Sequence, residues 1–351
     1  MQPENDPASG GAVGGFSISV VVITLNEEEN IAACLESLLR QDYPVHLTEI
    51  LVVDASQDST PQIVSRYPRV RYLRAEKGFS RQKNAGLQAA GSELVAFTDA
   101  DCLVPPDWLG EIARAFQKEN LAGVGGNAFL PPGSGYFEAC ASAIGHPAGG
   151  AIGFDANVKR GPEGVAFLAG CNSAFRKTAL LAVGGFNPDF QDGGEDVDLS
   201  RRLRENGFLI DYRPSLTVFH KPHWPLGHFI RWNIRVGFSK FNLQKPTLLK
   251  LLVEPSFVAW PLALLGGLLA VAFWWNPLGS ACLLVLIWGA YLALLRFASR
   301  PYPLLLRRRF RLRLGPFAVL FAVPFLILVR QIFINWGQLR KWFRRRSAAR
   351  A

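Results

Sequence analysis

The chain has 351 residues, 49% of them hydrophobic, and a net charge of +10. That length accommodates one large globular domain with added elements, or two domains. The charge is lopsided, because no Asp or Glu follows Glu254 and the 14 Lys and Arg between Arg296 and Arg350 exceed the whole net charge. The body is therefore mildly acidic and lacks the overall basic character of a nucleic-acid-binding domain.

Residues 1–16 are polar and Gly-rich, with no apolar run of the signal-peptide kind, and are predicted to be disordered. Cys34, Cys102, Cys140, Cys171 and Cys282 show no paired spacing, which reads as reduced thiols in the cytosol. A β-branched run at 17–25 predicts a strand. Residues 27–41 follow, with Ile31, Cys34, Leu35, Leu38 and Leu39 at helical spacing. Further strands are expected at 49–54, 69–75 and 94–98, with helices at about 60–67 and 80–90. Strands alternating with helices imply an α/β fold with a doubly wound parallel sheet, whose ligands bind at the carboxyl ends of the strands.

The strand ends carry Thr24-Leu25-Asn26-Glu27, Asp54 and Asp99-Ala100-Asp101. Two carboxylates one residue apart, at the end of a buried strand, can face one hard divalent cation if a turn follows. A surface turn would use the same residue types, so the pair alone is weak. Residues 133–164 are rich in Gly and Ala without a period, compatible with an active-site loop or with a plain surface excursion. Farther on, Glu195, Asp196 and Asp198 open a segment in which Val197, Leu199 and Leu203 fit a helix preceded by Gly193-Gly194. Acids in a first helical turn are favoured by the helix dipole whether or not they catalyse. His220 and His223 have the H-x-x-H spacing of a zinc site, but the sequence shows no further Cys or His to complete one. Trp224, Trp232, Phe238, Arg231, Arg235 and Lys240 suit an amphipathic segment at a membrane surface, as does His228 an interfacial position.

No residue from Pro255 to Leu295 is charged. Spans are predicted at about 255–275 and 278–295, joined by a turn at Asn276-Pro277. A third apolar segment covers about 315–336 but contains Pro324 and Arg330. The stretches on both sides of it are strongly basic and favour the same side of a membrane, so it is expected to be kinked, re-entrant or interfacial rather than a full crossing.

The segments "VVITLNEEENI", "LVVDASQDST", "RQKNAGLQAAGSELVAFTDAD", "AGCNSAFRK" and "GGFNPDFQDGGEDVDLSRRLRENGF" occur in that order. Together they resemble the family 2 glycosyltransferases over residues 17–240. The resemblance implies a GT-A fold, Rossmann-like with a mostly parallel sheet, followed here by membrane or interfacial helices over 241–351. It implies that Thr24, Leu25 and Glu27 hold the nucleoside and that Asp54 reads the base edge. Lys83, with Arg81 as a second candidate, would lie near the diphosphate. Asp99 and Asp101 match the metal motif, Asp101 as direct ligand and Asp99 toward ribose and metal, with His220 as a third ligand. Asp196 matches the catalytic base, beside Glu195, and Asn172 lies on the acceptor side. Asp198 is expected to be structural, pairing with Arg201 or Arg202. "HFIRW" is similar only weakly to the Q-x-x-R-W motif of processive synthases, since His replaces Gln.

The reading that follows is a membrane-anchored, inverting glycosyltransferase dependent on Mg²⁺ or Mn²⁺. It would act on a nucleotide-diphosphate sugar and a lipid-linked or polysaccharide acceptor, at the inner membrane as a multi-pass protein with its catalytic domain in the cytoplasm. One alternative is a polyprenyl-phosphate sugar synthase, whose phosphate acceptor needs no base. A non-catalytic membrane scaffold with this fold is another. A transporter is disfavoured by two or three candidate spans that hold no acid.

Overall fold

The computed structural model describes residues 15–145, 160–161, 164–221, 226–244, 246–248, 277–298 and 314–348. The predicted disorder at the N-terminus, His223, Trp224 and the first predicted span lie outside these residues, except that Gly15 and Phe16 are described.

The inner apolar runs become strands buried on both faces, as a parallel sheet covered by helices requires. β1 (Ile18–Thr24) is buried along its whole length, and β2 (Thr48–Asp54) is buried from Ile50 onward. β3 (Val70–Arg74) forms the edge, and β4 (Leu94–Asp99) pairs with β1 on the other side. α1 (Ile31–Leu39), α2 (Thr60–Val64) and α3 (Phe79–Ala89) make the crossovers. These seven elements follow the order expected from the sequence. β3, β2, β1 and β4 are mutually parallel, with Thr24 opposite Asp54 and Ile23 opposite Asp99. That register brings the predicted donor-side residues to one edge of the sheet.

Beyond β4 the sheet is mixed. β5 (Cys102–Leu103) and α4 (Trp108–Phe116) precede β6 (Leu121–Phe129), α5 (Tyr136–Ala143), β7 (Arg160–Gly161), β8 (Gly164–Val165) and β9 (Asn172–Arg176). α6 (Lys177–Ala182), α7 (Glu195–Glu205) and β10 (Leu209–His220) follow. The sheet order is β3-β2-β1-β4-β9-β6-β10-β8-β7, with β5 against β10. β9 is antiparallel to both β4 and β6. Within the Gly- and Ala-rich stretch, Tyr136–Ala143 is helical rather than loop. Its faces meet Phe229 and Leu326 in an apolar cluster separate from the main core.

That cluster ties the tail to the body. α8 (Leu226–Gln244), α9 (Pro277–Ala298) and α10 (Val323–Ala348) supply Phe229, Tyr291, Val323 and Leu326 to it. α8 and α10 cross at Gly237 and Gly337. A Cβ on Gly337 would overlap the Ile234 carbonyl oxygen and come against Gly237 Cα. Arg330 of α10 donates to the Ile144 carbonyl at 2.7 Å. A π-helical turn at Ala318–Ala322 precedes α10, directly before Pro324, which accounts for the irregularity expected there. Among the described residues one helix, Ala318–Arg346, is long and apolar enough to cross a membrane. The multi-pass arrangement is not supported by those residues, and the helix that meets this test lies in the third apolar segment.

The backbone contact at the α8–α10 crossing cannot be relieved by rotating a side chain. Gly337→Leu is expected to destabilise the protein by about 1–3 kcal/mol, the usual range for overpacking. A melting temperature in detergent equal to that of the unaltered protein would contradict this packing.

Candidate active site

The ends of β1 and β2 are clamped before any ligand is considered. Asn26 adopts a left-handed conformation with φ 57°, which turns the chain sharply after Leu25. Its N–H donates to Ser56 Oγ at 2.6 Å, and its side-chain oxygen accepts from the Gln57 N–H at 2.8 Å. Gln82, buried on α3, donates to the carbonyls of Thr24 (2.8 Å) and Val53 (2.9 Å). These bonds hold two strand ends at the mouth of a cavity of about 430 Å³. That volume lies within the range of small-molecule sites. Thr24, Leu25, Glu27, Asp99, Asp101 and His220 all line it.

One corner of the cavity gathers metal-ligand types. β5 runs antiparallel to the end of β10, with Cys102 opposite His220, and this pairing brings the histidine beside the D-x-D turn. His220 Nε2 lies 3.3 Å from Asp101 Oδ1 and 3.8 Å from Asp99 Oδ2. Ligand atoms of all three residues fall within 4.8 Å of one another. Burial lowers the His220 pKa, but Asp101 and Asp99 outweigh it and hold the imidazole at about 10. Two carboxylates that favour a cation so strongly, together with an imidazole, fit a divalent ion.

A second cluster, whose residues are not among those lining the cavity, is built at the start of α7. Gly194 caps the helix with φ 86°, a left-handed turn that suits glycine. Lys83 Nζ meets Glu195 Oε1 at 2.6 Å, with both side chains buried. Burial disfavours the Lys83 ammonium, yet Glu195, Asp99 and Asp196 together hold its pKa above the ordinary lysine value. Asp196 Oδ2 accepts from the Gly170 N–H at 3.1 Å, and Oδ1 accepts from its neighbour Val197 at 2.8 Å. Burial and the Glu195 charge push the Asp196 carboxyl up to about 6, against the pull of Lys83. A carboxylate poised there can accept a proton near neutral pH. A Cβ on Gly170 would run into Lys83 Nζ and crowd Glu195, so this glycine leaves room for the pair.

Comparison with known proteins bears on what this arrangement serves. Residues 19–184 match Glycosyl transferase family 2, and residues 157–223 match the family described as the N-terminal domain of galactosyltransferase. Residues 19–184 are thus a family 2 glycosyltransferase domain. The transferase is 27% identical to glycosyltransferase AglE of Haloferax volcanii over 64% of its own length and 73% of AglE. It is 24% identical to a dolichyl N-acetyl-α-D-glucosaminyl phosphate 3-β-D-2,3-diacetamido-2,3-dideoxy-β-D-glucuronosyltransferase of Methanococcus voltae, over 64% of its own chain and 72% of that one. Other curated relatives are matched over only 20–30% of their own length. Among solved structures, the mannosyltransferase PcManGT from Pyrobaculum calidifontis, determined in complex with GDP-Man and Mn²⁺, superposes with a TM-score of 0.54 at 21% identity. That superposition covers 92% of this chain and 88% of the other, and it bears out the GT-A fold.

The transferase departs from several residue-level expectations. Asn172 is wholly buried, with its side chain engaged inside the sheet. Its oxygen accepts from Trp108 Nε1 at 2.9 Å, and its amide donates to the carbonyls of Asn127 and Leu216. Those bonds knit β9 to β6 and β10. Asp54 is also wholly buried and does not line the cavity. Ser56 N–H, Tyr72 Oη and Arg74 occupy its carboxylate, the last at 2.8 Å. Arg81 pairs at 3.0 Å with Glu76, outside the cavity lining. Lys83 is turned to Glu195 rather than to the cavity. Asp198 pairs with Arg201 (2.9 Å) and Arg202 (2.8 Å), as expected of a structural residue. The cavity also takes Lys77, Gln191 and Asp192, and His228, Trp232 and Arg235 from α8. The Trp and Arg of α8 had suggested a membrane surface, and His228 an interfacial position. Their interleaving on one helix was the available signal.

Proposed function

We propose that this family 2 glycosyltransferase inverts the anomeric centre as it moves a sugar from a nucleoside-diphosphate sugar to a membrane-associated glycan or lipid acceptor, and that it requires a divalent cation. The observation that carries this reading is a pair of carboxylate groups, one in the cavity lining and one at the start of α7. Asp99 and Asp101 meet His220 on one side, and Asp196 stands with Glu195 and Lys83 on the other. Thr24, Leu25 and Glu27 hold the nucleoside. Asp99, Asp101 and His220 hold the cation, which when bound supplies positive charge at the diphosphate. Lys77 and Arg235, both in the cavity wall, add further positive charge there. Such charge favours the transition state over the ground state, because negative charge grows on the leaving diphosphate.

Asp196 takes the proton from the acceptor hydroxyl as its oxygen forms the bond to the anomeric carbon and the nucleoside diphosphate departs. Lys83 restrains the rise in the Asp196 pKa and locks Glu195, so the base stays ionised near neutral pH. A lipid-linked acceptor is supported by the dolichyl-phosphate substrate in the Methanococcus voltae relative's name. An apolar helix followed by a basic tail supports placement at a membrane surface. The test is nucleotide release from a panel of UDP-, GDP- and dTDP-sugars, with membrane lipid extract and Mn²⁺. Release from a donor that depends on both lipid and cation is expected. No release from any donor, or undiminished release in EDTA, would contradict the proposal.

A further inference from the structure

The D-x-D turn is flanked by thiols that the reaction does not use. Cys102 follows Asp101 directly and is wholly buried. Cys171 precedes β9 and is 5% exposed. Two pairings bring them together. Cys102 lies opposite His220 across the β5–β10 ladder, and Asn172 lies opposite Thr98 at the end of β4, which carries Cys171 to the same place. A sulfur from each cysteine and a nitrogen of His220 fall within 4.8 Å of one another. Asp101 Oδ1 stands 4.0 Å from Cys102 Sγ and 3.3 Å from His220 Nε2, in position to serve as a fourth ligand. The Nδ1 atom of His220 is buried and has no hydrogen-bond partner. A buried ring nitrogen left in that state is unusual unless something else satisfies it.

We propose that Cys102, Cys171 and His220 form a second metal site, selective for a thiophilic divalent cation of the zinc and cadmium class, which competes for His220 with the hard cation at Asp99 and Asp101. In a tetrahedral site, bonds of about 2.3 Å to sulfur and 2.0–2.1 Å to nitrogen put ligand atoms roughly 3.3–3.8 Å apart. The observed cluster needs to close by no more than about 1 Å to reach that geometry. Two sulfurs reject Mg²⁺ and discriminate against Mn²⁺, whereas zinc accepts sulfur, imidazole and carboxylate together. The two sites share an imidazole, and two dications around one ring repel each other across a poorly solvated gap. Filling the thiol site therefore empties or weakens the other. The thiol site stands on its own geometry; only the competition rests on the reading of Asp99, Asp101 and His220 as the donor-side cation site.

The experiment uses the full chain, kept reduced with a phosphine, and Cd²⁺ as the probe. Thiolate-to-cadmium charge transfer in the near ultraviolet is expected to saturate at one Cd²⁺ per chain. It should vanish in a Cys102→Ser/Cys171→Ser double variant and weaken in Cys171→Ser alone, which serves if the double variant does not fold. Mn²⁺ retained in equilibrium dialysis should fall as Cd²⁺ is added to the unaltered protein, but not in the variants. No charge-transfer band, or a band undiminished by either substitution, overturns the thiol site. A band that behaves as expected while Mn²⁺ retention is unaffected by Cd²⁺ overturns the competition. If Mn²⁺ is not retained even without Cd²⁺, the donor-side reading has failed, and with it the competition, while the cadmium band still reports on the thiols.

Discussion

Asp196→Asn is expected to lower turnover by a factor on the order of 10² to 10⁴ while leaving donor affinity largely unchanged. The substitution keeps size and hydrogen-bonding shape but cannot take the acceptor proton. The pH dependence should identify the same group. With its pKa pushed up to about 6 by burial and by Glu195, Asp196 is protonated and inactive below that pH and ionised above it. The rate should therefore climb as pH rises through about 6, and this limb should be absent in the variant. Because Asp196 and Glu195 interact closely, the inflection belongs to the pair. If donor affinity collapsed along with turnover, Asp196 would be holding donor or structure instead of accepting a proton.

Lys83→Met should be costly in a different way. It removes the cation from a buried pair and leaves Glu195, 5% exposed, without its countercharge. Breaking a buried pair from one side typically costs about 3–5 kcal/mol, much of it the penalty for the stranded charge. The loss should be read from the denaturation midpoint, and pairing the change with Glu195→Gln should restore part of it by removing that charge. The activity limb should also move. Lys83 pulls the Asp196 pKa down, so its removal should carry the inflection to higher pH. Unchanged stability, or an inflection moved to lower pH, would mean that Lys83 does not hold this corner of the site.

The β1, β2 and β4 strands were legible because unbroken apolar runs bounded by polar turns have few other uses, and the acids closing them followed from position alone. Gly193-Gly194 and the apolar spacing after Glu195 likewise marked the start of α7. What the sequence could not supply was contact between distant segments. Asn172 reads the same whether it faces a substrate or ties strands together, and only Trp108, Asn127 and Leu216 around it decide. Asp54 depends in the same way on Tyr72 and Arg74 from the neighbouring strand. His220 was read as lacking partners for a sulfur–nitrogen site. Cys102 and Cys171 reach it only through the β5–β10 pairing and the antiparallel insertion of β9, which no local pattern announces. Trp232 and Arg235 combine aromatic and basic character, which suits a membrane surface and a diphosphate pocket equally, and packing of α8 chose the pocket.

The claim on which the mechanism depends is that Asp99, Asp101 and His220 hold a cation that in turn holds the donor diphosphate. Calorimetric titration of nucleoside diphosphate into the unaltered protein and into Asp101→Ala, each with Mn²⁺ and with EDTA, tests it most directly. Binding that requires Mn²⁺ in the unaltered protein and is lost in the variant is the predicted result. Binding of equal strength in EDTA, or Mn²⁺-dependent binding that survives the loss of Asp101, would contradict it.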